Sequence, residues 1–385
     1  MDGNRTDHTR EILQRIQDLS PLVARHQTEF DAERRLAQPV VDAMIGADLF
    51  RLWVPRRFGG SEVSPRAMID IVEAAAALDA SFGWCLTNAA AAAQFTAYLP
   101  EEVAGVWVAQ PDCQMSGSTA ALGIARRTEG GFVVNGRWPF ASGILSARRV
   151  SGLCKIDGEG DPASPELMFC HFDVRDVSII DTWYVTGLKG SGSNDFSVSD
   201  HFVPLDHCHG FVGARPVEPG SLYRFPIVSL LCLSVAIVPL GIARAAIAAF
   251  VALADQTRAG NASAFKDREL IQSEVGRAEA LQRSGKALVI AALEDLERAL
   301  DIGGRPLIEA RAFFRLALAH SAENCLKACE MMVACAGAAA IFDTSPLARC
   351  QRDLQAATKH IAVAPHLFAL GGRITMGMEP GLARF

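Results

Sequence analysis

The sequence is short of several common signals, and each gap narrows the reading. Its ten cysteines contain no Cys-x-x-Cys pair and are scattered as Cys85, Cys113, Cys154, Cys170, Cys208, Cys232, Cys325, Cys329, Cys335 and Cys350. In a chain of 385 residues this argues against a disulfide scaffold and for reduced, mostly buried thiols packed as small hydrophobes. No basic run stands out, charged residues are 21% and the net charge is −6, which argues against nucleic acid or an anionic membrane surface as partner. No Gly-x-Gly-x-x-Gly opens a strand–helix unit, so the chain has no nicotinamide site of its own. No Gly-x-Ser-x-Gly elbow supports hydrolase chemistry. Met1 to Arg10 is polar and lacks the apolar core of a signal peptide, so a cytoplasmic protein is expected. The one long apolar run, Phe225 to Ala243, is interrupted by Pro226, Pro239 and Gly241, and reads as a buried bundle helix rather than a membrane span.

What is present is a large core, half of the residues being hydrophobic, with a texture that changes twice. Residues 1–112 read as a helical domain. Ile12, Ile16, Leu19 and Val23 recur at helical spacing, Ser64-Pro65 is an N-cap followed by proline at the first helical position, and Ser81 to Trp84 starts a further alanine-rich helix. Residues 113–220 read as a β domain, a small barrel or sandwich. Gly130-Gly131 makes a hairpin between Gly123–Thr128 and Phe132–Asn135, and 149–156, 167–172 and 196–202 read as strands. Residues 221–385 read as a four-helix bundle with helices near 227–258, 264–299, 305–340 and 346–370.

Asp206-His207-Cys208-His209 carries metal-ligand residue types, but they alternate across an extended segment and cannot all face one ion, so no metal site is assigned. The glycine-rich Gly187 to Asp195 has no Lys-Ser/Thr after its glycines and is not a phosphate-binding P-loop.

Several segments, in order, resemble the acyl-CoA dehydrogenase superfamily, especially its two-component (group D) flavin-dependent monooxygenase branch. They are Val54-Pro55 with Phe58-Gly59-Gly60; Ser81 to Trp84; Asn135 to Gly143; Thr186 to Asp195; Val203-Pro204; and Ser345-Pro346-Leu347 with Arg352-Asp353 and His360. The resemblance implies a mainly α fold with an inserted β domain. It implies an oxygenase that uses reduced FMN or FAD from a separate NAD(P)H:flavin reductase, with molecular oxygen as cosubstrate. The product would be a small organic compound, aromatic or natural-product in kind, hydroxylated or oxidised at N or S through a flavin C4a-hydroperoxide. A homotetramer is implied as well.

The resemblance also assigns residues. Trp138 and Phe140 would give the flavin an apolar wall, Ser142 a hydroxyl beside its reactive edge, and Gly143 close backbone approach. Arg258 would reach the cofactor phosphate, for which a planar guanidinium suits, and Gly337 would lie near the cofactor. In the dehydrogenases a catalytic Glu stands eight residues after the Asp of the Arg-Asp pair. Here that position is Ile361, with His360 beside it, so the carboxylate base is missing. An imidazole can instead deprotonate a phenol-like substrate. One departure concerns a second His that the hydroxylases carry on the helix after the Gly-Trp pair; Ala89 to Gln94 has none, leaving Asn88, Gln94 or a backbone group to replace it. Two rival readings stay open: an FAD-dependent acyl-thioester dehydrogenase and a flavin-free scaffold.

Overall fold

The computed structural model describes residues 2–161, 164–255 and 265–381. The chain opens with helices α1 (Asp2–Asp18), α2 (Ser20–Glu33), α3 (Gln38–Gly46), α4 (Pro65–Leu78), α5 (Ala80–Ala93) and α6 (Glu101–Trp107). Two side chains set the central pair. Ser64 Oγ accepts the Ala67 N–H at 3.1 Å ahead of α4, with Pro65 at its first position, as the sequence predicts. Asp79 Oδ1 accepts the Phe82 N–H at 3.0 Å, so α5 begins one residue before Ser81, and the cap is a buried carboxylate.

Strands β1 (Met115–Thr128), β2 (Gly131–Ala141), β3 (Arg149–Asp161), β4 (Ser164–Asp173), β5 (Ser178–Ile180), β6 (Asn194–Pro204) and β7 (Cys208–Gly210) form one sheet in the order β5-β6-β2-β1-β3-β4-β7. The expected hairpin is there, with Thr128 opposite Gly131. The sheet curls on itself: β4 of Phe172 and β6 of Phe196 have three strands between them in the order, yet the two rings stand 6.4 Å from each other. Trp138 fills the inside of that curl, stacked on Phe196 at 4.9 Å, with its Nε1–H given to Leu153 O. It fits because Gly123, Gly136 and Gly152, on three strands, face it. A Cβ on any of them would come within 2.8 Å of the indole.

The chain then returns to helix as α7 (Ile227–Ala236), α8 (Val238–Ala254), α9 (Glu269–Ile302), α10 (Gly304–Ala336), α11 (Pro346–Ala357) and α12 (His366–Thr375). Two of the four expected bundle helices are broken. The first divides at Ile237, because Pro239 lacks an N–H and its ring crowds the preceding turn. The last stops at Ala357 and resumes at His366, after Pro365. The apolar stretch of α7 and α8 is long and apolar enough to cross a membrane, but it lies mostly buried in the protein. One continuous hydrophobic core joins helices from both ends of the chain, from Ile12 to Val363, while the inside of the sheet has its own. Every cysteine is a free thiol, and most are buried.

Candidate active site

Three parts of the chain meet around Trp84. Its indole N–H donates to Ser142 Oγ at 2.9 Å, and its ring stands edge-on to the His360 imidazole with centroids 6.1 Å apart. α5 supplies Trp84, the end of β2 supplies Ser142, and the break between α11 and α12 supplies His360. A buried indole needs an acceptor for its N–H, and that need ties α5 to the strand end.

Ser142 is held from several sides. Ser116 Oγ of β1 donates to its carbonyl at 2.8 Å, and Ser193 Oγ lies 2.8 Å from its hydroxyl. Gly143 follows with φ +73°, giving its N–H to Ser191 O at 2.8 Å. Phe140, two residues earlier, is 67% exposed with φ +64°, a conformation an aromatic residue rarely adopts. Its ring stands edge-on to Trp183 at 6.2 Å. Strain in an exposed aromatic beside a buried polar cluster is a mark of a ligand site.

His360 caps a short turn, its Nδ1 accepting the Ala362 N–H at 3.1 Å. That bond leaves the ring proton on Nε2 whenever the imidazole is neutral. Burial disfavours the charged ring and lowers its pKa to about 4, so at neutral pH the group is a neutral N–H donor. Ile361, at the place of the dehydrogenase carboxylate, is 66% exposed.

The Gly187–Asp195 segment carries no ligand motif but supports the site. Its 3₁₀ turn Lys189–Ser191 brings Ser191 and Ser193 under Ser142, and Asp353 Oδ1 of α11 accepts the Leu188 N–H at 2.7 Å. Where the loop meets α11, a Cβ on Gly187 would stand 2.1 Å from Arg352 O. Replacing Gly187 with alanine is therefore expected to push the loop off α11 and destabilise the protein by about 1–3 kcal/mol, read as a lower melting temperature.

The other expected site residues fall as follows. Trp138 is fully buried inside the sheet and presents no face to a ligand; the wall expected of it is a core packing role instead. Gly337 ends α10. Arg258 lies outside the described residues. Of the side chains weighed as replacements for the absent histidine, Asn88 shares the Trp84 face of α5, donating to Trp84 O at 2.8 Å. Gln94 is buried at the helix end, bonded to Ala91 O. Sequence reasoning passed over Trp84 and Ser193 as site residues. Trp84 carried a signal, an indole inside a quoted motif, whereas nothing in the sequence links Ser193 to Ser142. In the Asp206–His209 segment, His209 turns inward to stack on Tyr98 at 5.1 Å, and among the described residues no three His, Cys, Asp or Glu side chains gather as a metal site.

A curled sheet between helical layers that share a core, with a serine, an indole and an imidazole at their junction, defines a flavin-dependent enzyme of the acyl-CoA dehydrogenase type. The chain belongs to the flavin-dependent monooxygenase branch of that family. It is 31% identical over 358 residues to the indole-3-acetate monooxygenase of Pseudomonas putida, a match covering 91% of this chain and 90% of that one. It is 27% identical over 393 residues to the oxygenase component of p-hydroxyphenylacetate 3-hydroxylase from Acinetobacter baumannii, covering 96% and 90%. The family described as acyl-CoA dehydrogenase, C-terminal domain, matches residues 233–365. Among solved structures, XiaF from Streptomyces sp., in complex with FADH2 and glycerol, shares the fold with a TM-score of 0.90 at 24% identity over 98% of both chains.

Proposed function

We propose that the protein is the oxygenase component of a two-component system that inserts one oxygen atom into a small aromatic substrate, using reduced FMN or FAD and molecular oxygen. The observation that carries this reading is the junction itself: Trp84 hydrogen-bonds Ser142 and stands edge-on to His360, so a hydroxyl and an imidazole gather around one indole. The named activities of the relatives support the aromatic substrate class. A separate flavin reductase, a homotetramer and a cytoplasmic location complete the proposal.

The residues fit a flavin. Ser142 offers a hydroxyl and Phe140 an exposed aromatic face, and Gly143 is proposed for close backbone approach. Arg258 and Gly337 are proposed for the phosphate end. When bound, the reduced flavin supplies the electrons that activate oxygen. The chain's own part is to orient the flavin edge through Ser142, to exclude water around Trp84, and to present the His360 Nε2–H to the substrate. With Nδ1 engaged by Ala362, His360 serves as a hydrogen-bond donor to a substrate oxygen or nitrogen rather than as the base that the family resemblance implies. The exposed apolar Ile361, where a dehydrogenase has its carboxylate, speaks against thioester oxidation.

The test is rapid mixing of the protein, loaded anaerobically with reduced flavin, against oxygenated buffer. The expected result is a transient absorbance distinct from both reduced and oxidised flavin, with label from ¹⁸O₂ entering a phenol or indole product. Flavin oxidation at the rate of free flavin, with no label transferred, overturns the proposal.

A further inference from the structure

Ser142 belongs to a chain of hydroxyls longer than a strand end requires. Its Oγ receives the Trp84 Nε1–H at 2.9 Å and lies 2.8 Å from Ser193 Oγ, which lies 2.8 Å from Ser191 Oγ. All four side chains are buried. An indole only donates, whereas each hydroxyl has one proton and two lone pairs. Trp84 therefore fills one lone pair of Ser142 permanently, and the two serine–serine bonds are free to run in either direction.

Both directions balance. With Ser191 donating to Ser193 and Ser193 to Ser142, both lone pairs of Ser142 are filled and its proton points to a ligand: Ser142 is a donor. With Ser142 donating to Ser193 and Ser193 to Ser191, one lone pair of Ser142 stays open: Ser142 is an acceptor. No heavy atom moves between the two. The far end of the chain borders a cavity of about 10 Å³, lined by Ser191, Gln114 and Cys85. There Gln114 Oε1 is buried with no partner among the described residues, an acceptor that one water in this space would join to the chain.

A flavin changes character at its ring edge with redox state: the central ring nitrogen is bare when oxidised and carries a hydrogen when reduced. We propose that Ser142, Ser193 and Ser191 form a reversible hydrogen-bond chain that lets one hydroxyl meet both states, with Ser193 the positioning residue that accepts the Ser142 proton when the flavin is reduced. The inference rests on the flavin reading above and adds the loop serines to it. Without Ser193, a Ser142 that accepts from reduced flavin has nowhere to send its own proton, whereas a Ser142 that donates to oxidised flavin loses little. The chain thus predicts a loss of affinity for one redox state only.

The experiment is titration of the wild type, S193A and S191A with FMN and FAD, oxidised in air and reduced under anaerobic conditions, with thermal melting of the flavin-free proteins alongside. S193A is expected to bind reduced flavin about tenfold more weakly, the penalty of a buried unsatisfied hydroxyl, with oxidised flavin changed less than twofold. S191A should shift the same ratio in the same direction by less, and serves alone if S193A fails to fold. Equal weakening of both states, or no change in either, overturns the chain while leaving the flavin reading intact. A wild type that binds neither state overturns both.

Discussion

Replacing His360 with alanine is expected to lower kcat by about 10²–10³-fold, the usual effect of removing one hydrogen-bond donor from a reacting oxygen. Flavin binding should change little, because the Ser142 contacts stay in place. The pH–rate profile distinguishes a donor from a base. A free imidazole base would impose a limb near its ordinary pKa of about 6.5. Here burial lowers the His360 pKa to about 4 and the Ala362 N–H occupies Nδ1, so the wild-type profile should be flat from pH 5 to 8 in this group. H360Q keeps an N–H donor and should recover part of the lost rate. A limb near pH 6.5 that vanishes in H360A would restore the base. Stability gives an independent check. The folded state holds His360 neutral where the unfolded chain takes up a proton, so its contribution is complete above about pH 6.5 and is lost as pH falls towards 4. H360A should be less acid-sensitive across that window.

The second large effect is expected at Arg349. Its guanidinium bonds Asp79 Oδ2 at 2.8 Å and Asp31 Oδ2 at 3.0 Å, and lies 3.8 Å from Asp353. Asp79 caps α5 and Asp353 holds the loop at Leu188, so one arginine joins the helix of Trp84, the loop of Ser193 and the helix that leads to His360. R349A leaves two buried carboxylates without their cation and is expected to cost about 3–5 kcal/mol, read as a fall in the denaturant midpoint. The pH dependence has a definite sign. Burial, and then Asp79, push the Asp353 pKa up to about 7, so the folded state keeps a proton that the unfolded chain releases near pH 4. Its contribution to stability falls as pH rises from about 4 to 7 and is level above that. Without Arg349 both carboxylates are held protonated more strongly, and the deficit of R349A against wild type should shrink between pH 8 and pH 5. A deficit that stays constant with pH would mean that packing, and not charge, is what Arg349 provides.

Much of this was readable from local signals. Ser64-Pro65 and Gly130-Gly131 act within a few residues of themselves, and the helix start and hairpin fall where they predict. The helix breaks were harder. Pro239 is legible as an interruption of the apolar run, but that it divides one helix into two is seen only where α7 and α8 are separate elements. Trp138 was misread for a different reason. An aromatic beside Ser142 looks like a ligand wall, and only the three glycines from separate strands reveal a slot built to bury it. Ser142 and His360 carried motif signals, and the structure brings both to Trp84. Ser193 and Arg349 had none, since their partners lie 51 and 270 residues away. Such pairings depend on tertiary contacts, and a single sequence gives no trace of them.

The core shared by the two ends of the chain governs how the protein can be made. While the ribosome is still producing the sheet, α4 and α5 have already emerged, with apolar faces that α7 and α8 will help to cover. The sheet has its own interior and can close early, but the first helices must wait with exposed hydrophobic surface. The junction around Trp84 cannot form until His360 has emerged, well after Trp84 and Ser142. The nascent chain is therefore expected to be inactive until the helices after the sheet have been made, and the exposed faces of the first helices are the surface that chaperones would have to shield in that interval.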